Sequence, residues 1–285
     1  MTDIFELSYR ALSCGGFAHK KSLLADLKRM MDVDSFNTQS MRPPIDIPDA
    51  GRPVLPVLVH PTQVPRRRLG STEGRIGLIH AIAHIEFNAI NLALDAIYRF
   101  REMPCDYYRD WLRVASEEAT HFELLVNRLH ELNSNYGTLV AHGGLWEMSV
   151  VTAYDVTARM ALVPRVLEAR GLDVTPAMIN KLRAHGDDRT VSILQRILRE
   201  EIDHVRIGNR WFRYCCEQSA QDPVTLFSTL LRQHGRIALR GPFNREARLE
   251  AGFTNEELQE LALLEAEFKR DFAKDQSKDE HKVVG

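Results

Sequence analysis

Apolar residues recur every three or four positions along several long stretches of the chain, which is typical of amphipathic α-helices. This spacing predicts four long helices, at about 75–101, 106–132, 144–170 and from 187 to at least 215. Shorter helical patterns occupy 3–31, with a break at Gly15–Gly16, and about 223–234. The pattern therefore predicts an all-α protein built around a four-helix bundle.

Proline and glycine mark the connections between these stretches. Residues 43–65 hold seven of the chain's 12 prolines, which predicts an extended strap whose valines and leucines are buried against the body. Pro164 should kink the third helix, Gly171 should end it, and Thr175–Pro176 should start a short helix. Thr254 and Glu257 form a capping box for a last helix. The predicted organisation is an N-terminal helical and strap segment (1–65), a helical domain (66–273) and a disordered tail (274–285).

Five acidic or histidine residues fall within the apolar stripes of these helices. They are Glu86 in the first helix, Glu118 and His121 in the second, and Glu201 and His204 in the fourth. An ionised carboxylate facing a core costs on the order of several kcal/mol unless a cation meets it. Arginine partners or raised pKa values would be the ordinary explanation, and metal ions are the alternative.

The spacing of these residues favours the metal. Glu118/His121 and Glu201/His204 are both Glu-x-x-His pairs, whose members share one helix face. At about 1.5 Å per residue, Glu86 lies ~22 Å before the predicted turn and Glu118 ~20 Å after it, so the two carboxylates should meet.

The second pair needs a matching glutamate from the third helix. The interval from Glu168 to Glu201 is only one position longer than that from Glu86 to Glu118, so Glu168 fits this near-repeat. Its rival Glu147 lies much further from Glu201 along the chain and fits less well. However, Glu168 falls in the last turn of the predicted helix, so residues 172–186 would have to double back.

Other polar groups are given lesser roles. His80 and His84 lie on a different face of the first helix from Glu86, so we expect them to be solvated or to support the site indirectly. Glu200 lies outside the apolar stripe of the fourth helix and is assigned no role. The basic run 66–68 is interpreted as a solvated turn, with contact to phosphate or RNA as the alternative.

Composition narrows the class of protein. The net charge is −2 and 27% of residues are charged, which gives no electrostatic reason to expect nucleic acid or an acidic membrane as a partner. The four cysteines form no spaced framework, and no run of about 18 apolar residues or leader pattern occurs. We therefore expect a cytoplasmic protein without a membrane span.

The chemistry of the six candidate ligands predicts two divalent ions. Four carboxylates would balance two such ions, and oxygen and imidazole donors without thiolates suit iron, or alternatively manganese. The expected metal ligands are Glu86, Glu118, His121, Glu168, Glu201 and His204. This is the ligand set of di-iron and di-manganese bundle proteins.

Five segments carry a resemblance to a known family: 78–86, 111–122, 163–173, 197–205 and 240–244. Together they resemble an uncharacterised bacterial family of ferritin-like proteins, over nearly the whole chain. A more distant similarity is to the tRNA hydroxylase of the same superfamily. The resemblance implies a ferritin-like bundle and di-iron binding, without naming a substrate.

These observations lead to a non-haem di-iron oxidoreductase that activates O2 to oxidise an unidentified substrate, with a separate electron donor. A ferroxidase or metal-binding ferritin relative without an organic substrate is the alternative, followed by a non-catalytic helical scaffold. RNA is a weakly indicated partner, and the sequence does not predict the oligomeric state.

Overall fold

The computed structural model describes residues 3–32, 36, 38, 42–65, 68–235 and 239–283, and it confirms the all-α prediction. Within these residues the only strand-like pairing is an isolated bridge between Leu58 and Ala141. A π-helical turn covers Val163–Glu168 and another covers Leu231–Gly235. The helices are α1 Ile4–Ser13, α2 Phe17–Met31, α3 Thr72–Arg99, α4 Cys105–Glu131, α5 Gly144–Val151, α6 Val156–Leu162, α7 Ala169–Ala184, α8 Asp188–Gln218, α9 Pro223–Leu230, α10 Arg245–Glu250 and α11 Asn255–Val283.

The chain packs into two compact units. The first comprises Met1–Tyr154 and Ala177–Glu200, and the second comprises Asp155–Pro176 and Glu201–Gly285. The strap therefore belongs to the first unit. α11 runs through the stretch for which the sequence predicts a disordered tail.

An antiparallel hairpin of α3 and α4 forms the centre of the first unit. Its two helices are locked by the rings of Phe87 and Phe122, whose centroids are 5.2 Å apart. α1 packs against α3, and α2 packs against α4, where Phe17 meets Phe122 at 4.6 Å. Tyr108 holds the turn between the two helices, since its hydroxyl donates to the carbonyl of Phe100 over 3.0 Å.

The strap is held mainly through its backbone. The carbonyl of Pro48 accepts from the indole of Trp146 (2.9 Å), and that of Gly51 accepts from Asn91 (3.3 Å). The expected burial of the strap's apolar side chains is wrong, since Val54 is 91% exposed and Leu55 and Val57 are each 53% exposed. A proline-rich segment cannot form regular pairing, so here backbone anchors fix its path without burying every side chain.

The third predicted helix has different limits in the structure. α5 ends at Val151, and a new helical run begins at Val156, where the carboxylate of Asp155 accepts from the N–H of Ala158 (2.9 Å). This run continues without interruption to Ala184, so the predicted helix end at Gly171 is wrong. Pro176 lies inside α7 and does not start a helix. Local propensity is a weak signal, and packing overrides it here.

A buried arginine organises the second unit. Arg165 lies within 5 Å of the ring centroids of Phe212, Phe227 and Phe253, and its guanidinium donates to Glu257 over 2.5 Å. Glu257 also accepts from the N–H of Thr254, which confirms the predicted capping box at the start of α11. The charge of Arg165, which is 0% exposed, is thus neutralised inside the core.

α3 is long and apolar enough to cross a membrane by length and composition. However, 67% of its apolar window is buried within the protein, as in the central helix of a packed bundle. The length of α3 is therefore weak evidence for a span.

A buried lysine joins α1, α2 and α3 and generates a prediction on stability. The ammonium of Lys20 donates to the carbonyl of Ala11 (2.6 Å) and to the side chain of Asn91 (2.8 Å). Burial lowers the pKa of Lys20 to about 7. The ordinary lysine pKa is about 10.4. Between about pH 7 and about pH 10.4, Lys20 therefore holds its proton more often in the unfolded chain than in the folded one, so the free energy of unfolding should rise with pH.

We expect Lys20→Met to remove this rise, which chemical denaturation from about pH 7 to about pH 10 would measure. The matched control is Lys21→Met, because Lys21 is half-exposed and pairs with Glu123 at the surface. Its pH dependence should follow that of the wild type. A Lys20→Met curve parallel to the wild-type curve would contradict the prediction.

Candidate metal centre

Three of the predicted ligands lie together in the core of the first unit. Glu86, Glu118 and His121 each offer one ligand atom, and these atoms lie within 4.8 Å of one another. His121 Nδ1 is 3.2 Å from Glu86 Oε2 and 3.4 Å from Glu118 Oε2. All three residues are at most 4% exposed. The structure therefore confirms that these carboxylates point inward and meet.

The register of the α3–α4 hairpin brings them to one level. Glu86 lies as far before the end of α3 at Arg99 as Glu118 lies after the start of α4 at Cys105. Since both helices rise equally per residue, the two side chains arrive at the same depth. His121 follows one turn after Glu118 on the same face.

Burial dominates the electrostatics of this group. It raises the pKa of Glu86, and the neighbouring carboxylate of Glu118 raises it further. Burial opposes the charge of His121, but its hydrogen bonds to Glu118 and Glu86 outweigh that effect and raise its pKa. Among the described residues no lysine or arginine bonds to Glu86. The raised pKa values of Glu86 and His121 both favour the protonated form of the group.

Glu200 completes the surroundings of His121, a role that the spacing of residues along the chain did not predict. Its carboxylate lies 2.6 Å from His121 Nε2 and also accepts from Arg196 (3.0 Å). Burial works against the charge of Glu200, but these hydrogen bonds outweigh it and lower the pKa. With Nε2–H donating to Glu200, Nδ1 is left facing Glu86 and Glu118, which is how metal-binding histidines are commonly oriented.

The second Glu-x-x-His pair repeats the local geometry of the first. In the second unit, His204 Nδ1 lies 3.4 Å from Glu201 Oε1, the same separation as in the Glu118/His121 pair. His204 is fully buried and Glu201 is 9% exposed. α8 thus presents both groups from its apolar face.

Glu168 is placed by the long helical run and lies at no helix end. It is the last residue of the π-turn. Glu168 precedes the end of α7 at Ala184 by the same number of residues as His204 follows the start of α8 at Asp188. Residues 172–184 continue the helix beyond the predicted end at Gly171, and α8 begins at Asp188. Glu168 is 9% exposed.

The remaining candidates lie elsewhere. Glu147 is exposed on α5, beside a cavity of about 310 Å³ under the strap. His80 and His84 are buried, which corrects the expectation of solvation: His80 Nε2 accepts from the N–H of Gly137, and His84 bonds to Tyr136. Of the basic run, residues 66 and 67 lie outside the described residues, so the structure adds nothing on RNA.

The donor set fits a hard or intermediate metal ion. Carboxylate oxygens and an imidazole suit iron and manganese, and none of the four cysteines, all free, belongs to the group. The fold and this group define the class as an all-helical protein with a candidate metal-binding group.

The chain belongs to a family whose model is described as "Protein of unknown function (DUF455)", which matches residues 17–259. A relative from Haemophilus influenzae, titled "Uncharacterized protein", is 47% identical over 216 residues, or 73% of this chain and 75% of the relative. No solved structure matches the chain.

The contact between Glu200 and His121 generates a prediction on metal affinity. Glu200→Ala removes the acceptor that orients the imidazole, so affinity for Fe²⁺ or Co²⁺ should fall about 10- to 100-fold. Glu200→Gln keeps an oxygen acceptor and should lose less. Anaerobic titration against a competing chelator measures both.

The matched control is Glu217→Ala, because Glu217 is an exposed glutamate further along α8. This control should bind metal as the wild type does. Unchanged affinity in Glu200→Ala would show that Glu200 does not orient His121 for a metal.

Proposed function

We propose that the protein is a ferritin-like, non-haem di-iron oxidoreductase that activates O2 to oxidise an organic substrate. The observation that carries the proposal is the buried group of Glu86, Glu118 and His121, which brings two carboxylates and an imidazole together away from water. A divalent ion there would replace the proton on His121 and balance the carboxylates.

The second half of the ligand set supports two ions over one. Glu201 and His204 repeat the Glu118/His121 pair, and Glu168 precedes the end of α7 by as many residues as His204 follows the start of α8. We propose that Glu168, Glu201 and His204 hold the second ion. Six such ligands contribute four negative charges, which two divalent ions neutralise.

The residues of the chain have separate tasks in this proposal. Glu86 and Glu118 would bind through oxygen, and His121 through Nδ1, while Glu200 holds the proton on Nε2 and so fixes the tautomer. The apolar surroundings exclude water from the buried carboxylates. When bound, two ferrous ions supply two electrons to O2, which is the chemistry that oxidation of a substrate requires.

A ferroxidase is the second candidate, because the same ligands would oxidise iron without an organic substrate. A scaffold that binds no metal is the third. Manganese would suit the same donors as iron. These candidates differ in the metal that they hold and in the amount of iron that they oxidise.

Metal stoichiometry tests the proposal directly. Wild-type protein loaded anaerobically with Fe²⁺ should retain about two ions per chain. His121→Ala and His204→Ala should each lose about one, because each removes one imidazole. His130→Ala is the matched control, since His130 is exposed near the end of α4, and it should retain both ions.

Elemental analysis after gel filtration measures the retained metal, and an oxygen electrode follows the loaded protein. O2 uptake that stops at about two irons per chain supports an enzyme, whereas continued oxidation of added Fe²⁺ supports a ferroxidase. Retention of no metal by the wild type would overturn the proposal. Equal retention by all four proteins would overturn the ligand assignment.

A further inference from the structure

The π-turn that ends at Glu168 contains one residue more than an α-helical path would. The N–H of Ala169 donates to the carbonyl of Pro164, five residues back. Each residue turns an α-helix by ~100°, so one extra residue re-aims everything that follows by about that angle. The direction of Glu168 relative to α6 therefore depends on whether this turn forms.

A close contact with α8 fixes the start of the π-turn. A Cβ added to Gly208 would lie 2.4 Å from Cβ and 2.5 Å from Cγ of Pro164, which is nearer than real side-chain atoms approach. Gly208 lies one turn after His204 on the same face of α8, and Glu168 lies four residues after Pro164. The proline ring thus packs against α8 one turn away from both candidate ligands.

Two buried arginines fix the turn at both ends. The guanidinium of Arg165, next to Pro164, is held by Glu257 and by three phenyl rings. Arg248 is 1% exposed and donates to the carbonyls of Arg165 and Ala169, over 3.4 Å in each case. Arg248 is itself held by Asp173, over 2.8 Å.

We infer that the contact of Pro164 with Gly208 is the device that positions Glu168, and that Pro164 and Gly208 are positioning residues for the metal centre. The inference rests on the proposed function for its meaning, since Glu168 must be a ligand for its position to matter. Because Gly208 has no side chain, the proline ring can lie close to the backbone of α8. The arginine contacts then hold the turn in this position.

Gly208→Ala tests the inference. The new methyl group must displace Pro164, so Glu168 should move and affinity for one of two Co²⁺ ions should fall at least ~10-fold, with a changed visible spectrum from the altered ligand set. Gly171→Ala is the matched control: Gly171 lies in α7, and a Cβ there has no atom within 4 Å. Both variants gain similar helix propensity, but only Gly208→Ala should alter metal binding.

A double-mutant cycle separates positioning from general damage. Pro164→Gly removes both ring atoms that the new methyl group would strike, which leaves Cα at 3.7 Å. In that background Gly208→Ala should have little further effect on Co²⁺ affinity or on the spectrum. Equal losses in both backgrounds would overturn the inference, as would wild-type Co²⁺ binding by Gly208→Ala.

A readout on metal-free protein keeps this inference distinct from the proposed function. Amide hydrogen exchange of a peptide covering 160–172 should be faster in Gly208→Ala than in the wild type and in Gly171→Ala. The three proteins are compared under conditions in which their free energies of unfolding are equal. If the wild type bound no Co²⁺ but this exchange difference appeared, the proposed function would be wrong. The inference that the contact of Pro164 with Gly208 positions the turn would still hold. Unchanged exchange would overturn the device whatever the metal result.

Discussion

The cost of holding two carboxylates away from water is the constraint on which the first unit depends. Glu86 on α3 and Glu118 on α4 are at most 4% exposed, and both lie beside His121. Removing one such charge from water costs on the order of several kcal/mol even after relaxation. A core that keeps two of them side by side gives up stability that an apolar pair would have supplied, unless a proton or another cation offsets their charge, and burial does raise the pKa of Glu86.

The second unit contains a buried charge that is neutralised by an ordinary ion pair. Arg165 and Glu257 are at most 1% exposed, and they pair directly over 2.5 Å. Glu86, in contrast, faces a second carboxylate and a histidine, and no arginine or lysine among the described residues bonds to it. The chain has 37 lysine and arginine residues, so the lack of a lysine or arginine bonded to Glu86 among the described residues does not reflect a shortage of them. The contrast favours a ligand group over a structural ion pair.

Helical periodicity predicted the parts of the site that depend on helix faces and on distance from a turn. Glu86, Glu118 and His121 could be brought together because a rise of about 1.5 Å per residue holds along both helices of the hairpin. Periodicity did not predict the role of Glu200, because this residue lies one position outside the apolar stripe. Its side chain is long enough to reach His121 from there. A signal did exist, in that metal-binding histidines usually donate their second nitrogen to a carboxylate.

The third helix could not be predicted from local signals, and the reason is physical. Gly171 and Pro176 are residues that commonly end and begin helices, yet α7 passes through both, and Leu172, Ile179 and Leu182 are buried along it. Pro164, which lacks an N–H and obstructs an α-helical path, is accommodated by the π-turn and by the space that Gly208 leaves. A proline in one helix and a glycine in another, far apart along the chain, carry no joint signal in a single sequence. Only their contact in the folded chain points to the irregular turn as the feature that positions Glu168.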